Sequence, residues 1–170
     1  MARVTLKEIA HEAGVSIATV SLVLNDRPCR VANATRERIR AIAREKRYVP
    51  NQIARSLVTQ RSRTLGLVVP NIESRYFSAI ACQLERRCRA QGYALFITVS
   101  DDQVENDIVL LRQLANRGVD GLFLIASSER DGADLLAEEL GQLSVPLVMV
   151  DRYLNQFACD RVRFDSELGG

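Results

Sequence analysis

Ser16, Thr19, Ser21 and Asn25 stand close together, and each short hydroxyl or amide can bond a phosphate oxygen or a base edge without filling the major groove of DNA. The chain around them is basic. Residues 1–64 carry 13 Lys and Arg against 5 Asp and Glu, a net +8, whereas residues 65–170 carry 10 against 16, a net −6. A basic segment joined to an acidic body implies a polyanion-binding head on a domain that does not itself bind nucleic acid. Metal and thiol chemistry find little support. His11 is the single histidine, and Cys29, Cys82, Cys88 and Cys159 form no C-x-x-C pair, so reduced thiols, no metal site and no cofactor are expected.

The elements that must position these side chains are short helices. Thr5-Leu6-Lys7-Glu8 is a capping box, and the stripe Leu6, Ile9, Ala10, Ala13 runs at helical spacing to Gly14, a residue that accepts positive φ. Ser16 caps a second helix through about Leu24, closed by Asn25. Two such helices across a glycine turn are a helix-turn-helix. On the second helix Val20, Val23 and Leu24 can pack against the first, while Ile17, Ala18, Ser21 and Leu22 cluster on the other side and need a partner. A third helix is expected from a cap at Asn33 through Thr35, Ile39, Ile42 and Ala43, with Arg36, Arg38, Arg40 and Arg44 as a positive shell.

TLKEIAHEAGVSIATVSLVLN, then TRERI and YVPNQIARSL, resemble the DNA-binding head of the LacI/GalR repressor family over residues 4–60. The resemblance implies that Ile17, Ala18 and Leu22 read base edges and that Thr5, Ser16, Thr19, Ser21, Asn25, Thr35, Tyr48 and Asn51 hold phosphates. At Leu22 many family members carry an arginine that grips guanine, so Ile17 and Leu22 are expected to meet thymine methyls, with DNA shape adding to specificity. Residues 51–57 are too few for a stable isolated helix. Read alone, they fit a linker helix with Leu57 covering the core. The resemblance implies instead a hinge helix near 51–58, including Ala54, that folds on DNA as a pair from two subunits and wedges Leu57 into the minor groove.

Past Arg61–Arg63 the pattern changes to short apolar runs, LGLVVP, YALFITVS, GLFLIAS and PLVMVD, alternating with helical stretches around 77–91, 104–116 and 131–142, before a short strand RVRF. A boundary is expected near residue 62, dividing a head at 1–60 from an α/β lobe at 62–170. Continuous apolar strands between helices imply a parallel sheet covered on both faces, with ligands beyond its carboxyl ends. Those ends hold Asn71 to Phe77, Ser100 to Asp102, Ser127 with Ser128, and Asp151 with Arg152. Carboxylates that accept from hydroxyls, Arg152 or Arg75 for a phosphate, and Tyr76 or Phe77 for an apolar ring face suit a small sugar or sugar phosphate.

The family resemblance places the effector at Asn71, Tyr76, Phe77, Asp101, Ser127, Asp151 and Arg152, and the segments from NIESRYF to SDDQ and VMVDR are similar to its fructose- and sucrose-type members. It implies a small all-α helix-turn-helix domain followed by a periplasmic-binding-protein-like α/β lobe, the N-terminal subdomain only. A second lobe would be missing, leaving apolar strand edges uncovered, and the full-length protein would be a homodimer or higher homo-oligomer on a pseudo-palindromic double-stranded operator. Without a signal-peptide or membrane-length apolar run, cytoplasmic residence and no membrane partner are expected. Two alternatives use the α/β lobe differently, as a sugar-binding receptor or a sugar-processing enzyme. Neither export signal nor glycine-rich phosphate loop nor nucleophile elbow supports them, so catalytic residues are not expected.

Overall fold

Thr5 opens the first element as its capping-box spacing predicts. Its hydroxyl accepts from the Glu8 amide at 3.3 Å and donates to the Glu8 carboxylate at 2.9 Å, so Glu8 reaches back to the side chain of Thr5. The computed structural model describes residues 4–49, 56, 59–127, 132–152 and 154–163. They belong to two units, Met1–Asn51 and Gln52–Gly170.

The first unit holds α1 (Leu6–Ala13), α2 (Ile17–Leu24) and α3 (Asn33–Glu45). Gly14 ends α1 at φ 61°, where a Cβ would be strained. Ser16 caps α2 by accepting from the Thr19 amide at 3.1 Å. Ile9, Val20, Val23 and Ile39 are fully buried and Ala10, Ala13, Ile42 and Ala43 complete the core, each helix burying one stripe. One expectation needs correction. Asn33 is the first helical residue rather than the cap, because the extended backbone falls on Ala32; lacking a side-chain oxygen, Ala32 accepts from Thr35 and Arg36 through its carbonyl. Three arginines of the positive shell also make bonds within the head. Arg36 donates to the Cys29 carbonyl (2.8 Å), Arg38 to Ala13 at the end of α1 (2.6 Å), and Arg40 pairs with Asp26 (2.8 Å). A cation over the bare carbonyls of a helix C-terminus is where the helix dipole favours it.

The second unit holds β1 (Thr64–Val69), α4 (Arg75–Ala90), β2 (Ala94–Val99), α5 (Val104–Asn116), β3 (Gly121–Leu124), α6 (Ala133–Gln142), β4 (Leu147–Val150) and β5 (Asp160–Val162). The strands form one sheet in the order β2-β1-β3-β4-β5 with every pair parallel. Side chains alternate between its faces. Leu67, Val69, Ile125 and Val150 pack with Phe77 and Ala81 of α4, while Val68, Leu122, Leu124 and Met149 pack with Leu111 and Leu114 of α5 and Leu136 and Leu140 of α6. Gly66 lets α5 and β3 approach β1, since a Cβ there would lie 2.8 Å from both Leu114 and Leu122. The cover on both faces expected from the apolar runs does not extend to every strand. Edge strand β2, with a neighbour on one side only, leaves Phe96 exposed on one face and Ile97 and Val99 on the other. No helix among the described residues is long and apolar enough to cross a membrane.

Candidate functional site

The first candidate surface is the side of α2 turned away from the head core. Ile17 and Ala18 are exposed and Ser21 and Leu22 half-buried, so among the described residues the apolar cluster read from the sequence is not part of the head core. Ser16 and Thr19 share a hydroxyl–hydroxyl bond of 2.9 Å at the N-terminus of α2, where backbone amides and the helix dipole favour an anion. Asn25 is held by donating to the Ser21 carbonyl at 2.7 Å. Thr5, Ile17 and Tyr48 line one groove of about 360 Å³, with the Tyr48 ring packed on the head core. Thr35 is half-buried in the first turn of α3. Asn51, Ala54 and Leu57 lie outside the described residues.

The second candidate surface is the carboxyl edge of the sheet. Chain connection from β1 runs to β2 on one side, and β3 lies on the other, so β1 and β3 flank a topological switch point, the usual crevice for ligands in open α/β sheets. Tyr76, Phe77, Asp151 and Arg152 converge beyond it. The Tyr76 hydroxyl donates to Asp151 at 2.7 Å, Tyr76 and Phe77 meet edge-to-face at 5.4 Å, and the Arg152 guanidinium sits 5.1 Å over the Phe77 ring. Arg152 also pairs with Asp102 at 2.7 Å. Partial burial, then the bond to Asp151, pushes the Tyr76 phenol up to about 12, so it stays a donor.

Ser127 ends the extended stretch after β3, and its amide donates to Asp107 at 2.9 Å. Asp107 is fully buried in the first turn of α5, and burial raises its pKa above the ordinary carboxylate range. Asp101, Asp102 and Asp151 all adopt left-handed backbone, with φ of 56°, 59° and 64°. Such conformations are costly for non-glycine residues and concentrate at functional edges. Asn71 instead accepts from the Glu73 amide at 2.7 Å in a local turn, and Asp101 is exposed. Ser128 lies outside the described residues.

Residues 5–51 match the family model for bacterial regulatory proteins of the lacI family, and residues 62–167 match the model for periplasmic binding proteins and the sugar binding domain of the LacI family. The chain belongs to the LacI family. A sucrose operon repressor of Klebsiella pneumoniae is 45% identical over 168 residues, covering 96% of this chain and 48% of the relative. A catabolite repressor/activator of Escherichia coli K12 is 37% identical over 166 residues, covering 96% and 48%. This LacI-family chain therefore spans about half the length of the curated relatives it matches. A crystal structure of the lac repressor dimer bound to operator and the anti-inducer ONPF has a TM-score of 0.82 at 26% identity, covering 96% of this chain and 48% of that one. The helix-turn-helix followed by a parallel α/β lobe is thus the architecture of the family.

Two residues of this LacI-family edge were not singled out by sequence reasoning. Asp102 lies in the Ser100–Asp102 segment, but its pairing with Arg152 joins positions 50 residues apart. Asp107 carried a readable signal: with Val104, Leu111 and Leu114 it shares the buried stripe of α5, and a carboxylate on an apolar stripe demands a polar partner.

Proposed function

We propose that this protein is a sequence-specific DNA-binding transcriptional regulator, a repressor of sugar-metabolism genes, that acts in the cytoplasm on a pseudo-palindromic operator as a homodimer. Residues 1–60 serve as the head, with a hinge near 51–58, and residues 62–170 as a lobe of the sensor. The observation that carries this reading is the Ile17–Ala18–Leu22 surface, outside the head core, on the second helix of a basic helix-turn-helix in a chain of the LacI family. Ile17, Ala18 and Leu22 read base edges in the major groove, Ile17 and Leu22 against thymine methyls, while Thr5, Ser16, Thr19, Ser21, Asn25, Thr35, Tyr48 and Asn51 meet phosphates, and Ala54 and Leu57 meet the minor groove. The names of the sucrose operon and catabolite relatives, and the operator-bound lac repressor dimer, support it.

The effector is a small sugar or sugar phosphate at the carboxyl edge. Tyr76 and Phe77 offer ring faces, Asp101, Asp151 and Ser127 accept from hydroxyls, and Asn71 and Arg152 donate. In the unliganded edge the Tyr76–Asp151 and Arg152–Asp102 bonds occupy these groups, and a polyhydroxyl ligand exchanges them for its own. Binding changes operator affinity through differential stabilisation of two states. The test titrates the operator-bound protein with sucrose, fructose and their phosphate esters, followed by fluorescence anisotropy of a labelled duplex. A saturable change in affinity with one of them is expected. Operator binding that none of them alters contradicts sugar control.

A further inference from the structure

The edge of the sheet opposite the ligand crevice is where the chain from the head enters the lobe, because all strands are parallel and β1 comes first. One carboxylate gathers that entry. Asp120 accepts from the Ser62 amide at 2.7 Å, the Ser62 hydroxyl at 2.9 Å and the Arg63 amide at 2.9 Å. Its own amide donates to the Thr64 carbonyl at 2.7 Å, while the Arg63 carbonyl accepts from Ala94 of β2 at 2.9 Å. The last residues of the linker are therefore bonded to both neighbours of β1. Arg63 holds φ 53° within this arrangement, a turn that the three bonds to Asp120 help to maintain.

Asp120 immediately precedes β3, and the extended stretch from it ends at Ser127 on the ligand edge. At about 3.3 Å per residue this stretch spans about 23 Å. Leu122, Leu124, Ile125 and Ala126 within it are buried at 2% exposure or less and pack on both faces of the sheet, so the stretch is held tightly along its length. Asp107 holds one end through the Ser127 amide, and Asp120 holds the linker at the other.

We infer that Asp120 is a positioning residue for DNA recognition: its carboxylate fixes the direction in which the linker leaves the lobe, and joins that exit to the ligand edge through β3. This rests on the proposed reading of the head as an operator binder. Freeing the linker enlarges the ensemble that must be ordered when two heads engage one operator, which lowers specific affinity without altering how a single head meets phosphate.

The test compares the whole protein with Asp120→Asn, Asp120→Ala and Ser62→Ala, on a duplex selected from a randomised pool and on a scrambled duplex, together with amide hydrogen exchange. Asp120→Ala should speed exchange of the Ser62 and Arg63 amides at least tenfold and weaken selected-duplex binding at least tenfold, with scrambled-duplex binding unchanged. Asp120→Asn keeps a carbonyl acceptor and should fall between, and it carries the test if the alanine variant fails to fold. Ser62→Ala, which loses only the hydroxyl bond, should have the smallest effect. Faster exchange with selected-duplex affinity within twofold of wild type overturns the inference alone, as does unchanged protection of the two amides. A wild type that prefers no duplex overturns the operator reading, and this inference with it.

Discussion

Truncating Ile17 to alanine separates base reading from mere attraction to DNA. Ile17 is 48% exposed in the free head, so its loss costs the fold little. Burying a whole isoleucine is worth about 1.5–3 kcal/mol, and covering its exposed half against a thymine methyl therefore contributes about 1 kcal/mol. That is a factor of about five in Kd at each half-site, and about thirty where two heads bind one operator. The assay is fluorescence anisotropy on a selected duplex and on the same duplex with deoxyuridine replacing thymine, which deletes only the methyl groups. Ile17→Ala should lose about fivefold to thirtyfold on the thymine duplex and almost nothing on the deoxyuridine one, a coupling that a double-mutant cycle isolates. Equal losses on both duplexes, or no loss on either, would refute the assignment of Ile17 to a thymine methyl.

At Gly132 a Cβ would lie 2.6 Å from Cγ1 and 2.8 Å from Cβ of Val104, a stiff β-branched neighbour. Gly132→Ala should destabilise the lobe by about 1–3 kcal/mol, seen as a lower urea midpoint; an unchanged midpoint would show that the site can relax. Burial raises the Asp107 pKa, so the folded protein holds this proton more tightly than the unfolded chain. Its contribution to stability is fully present below the unfolded pKa of about 3.9 and is lost as pH rises through the raised folded value. Asp107→Asn should flatten that part of the stability profile, and an unaltered profile would place the proton elsewhere. Alkaline absorbance titration should reveal a phenol with a pKa of about 12 that disappears in Tyr76→Phe; persistence of the late phenol would rule out Tyr76 as its origin.

Local chemistry was the most legible part of this chain. The predicted helix from Val104 to Asn116 coincides with α5, and the Thr5 and Ser16 caps sit where their spacing places them, because these signals depend on neighbours within one turn. Asn33 misled for the same reason: asparagine is a good cap residue, but the backbone turns extended one residue earlier, at Ala32. Long-range partners were not readable. Arg38 looks like any surface arginine until α3 brings it to the Ala13 carbonyl, and Asp120 looks like a turn residue until β1 and β3 pair and bring it to Ser62. Uncovered β2 has an equally apolar run to its neighbours, and only its place at the sheet edge distinguishes it. At the carboxyl edge of the sheet, Tyr76, Phe77, Asp151 and Arg152 converge, whereas Asn71 engages a local turn.

Operator recognition is decided by the affinity of the protein for a selected pseudo-palindromic duplex and for its scrambled counterpart, each at low and physiological salt. Phosphate attraction weakens steeply with salt on any DNA, whereas base contacts persist as a ratio between duplexes. A sequence-specific head should show a preference of at least about a thousandfold for the selected duplex that survives the added salt. Equal affinities for both duplexes, falling together as salt rises, would contradict it.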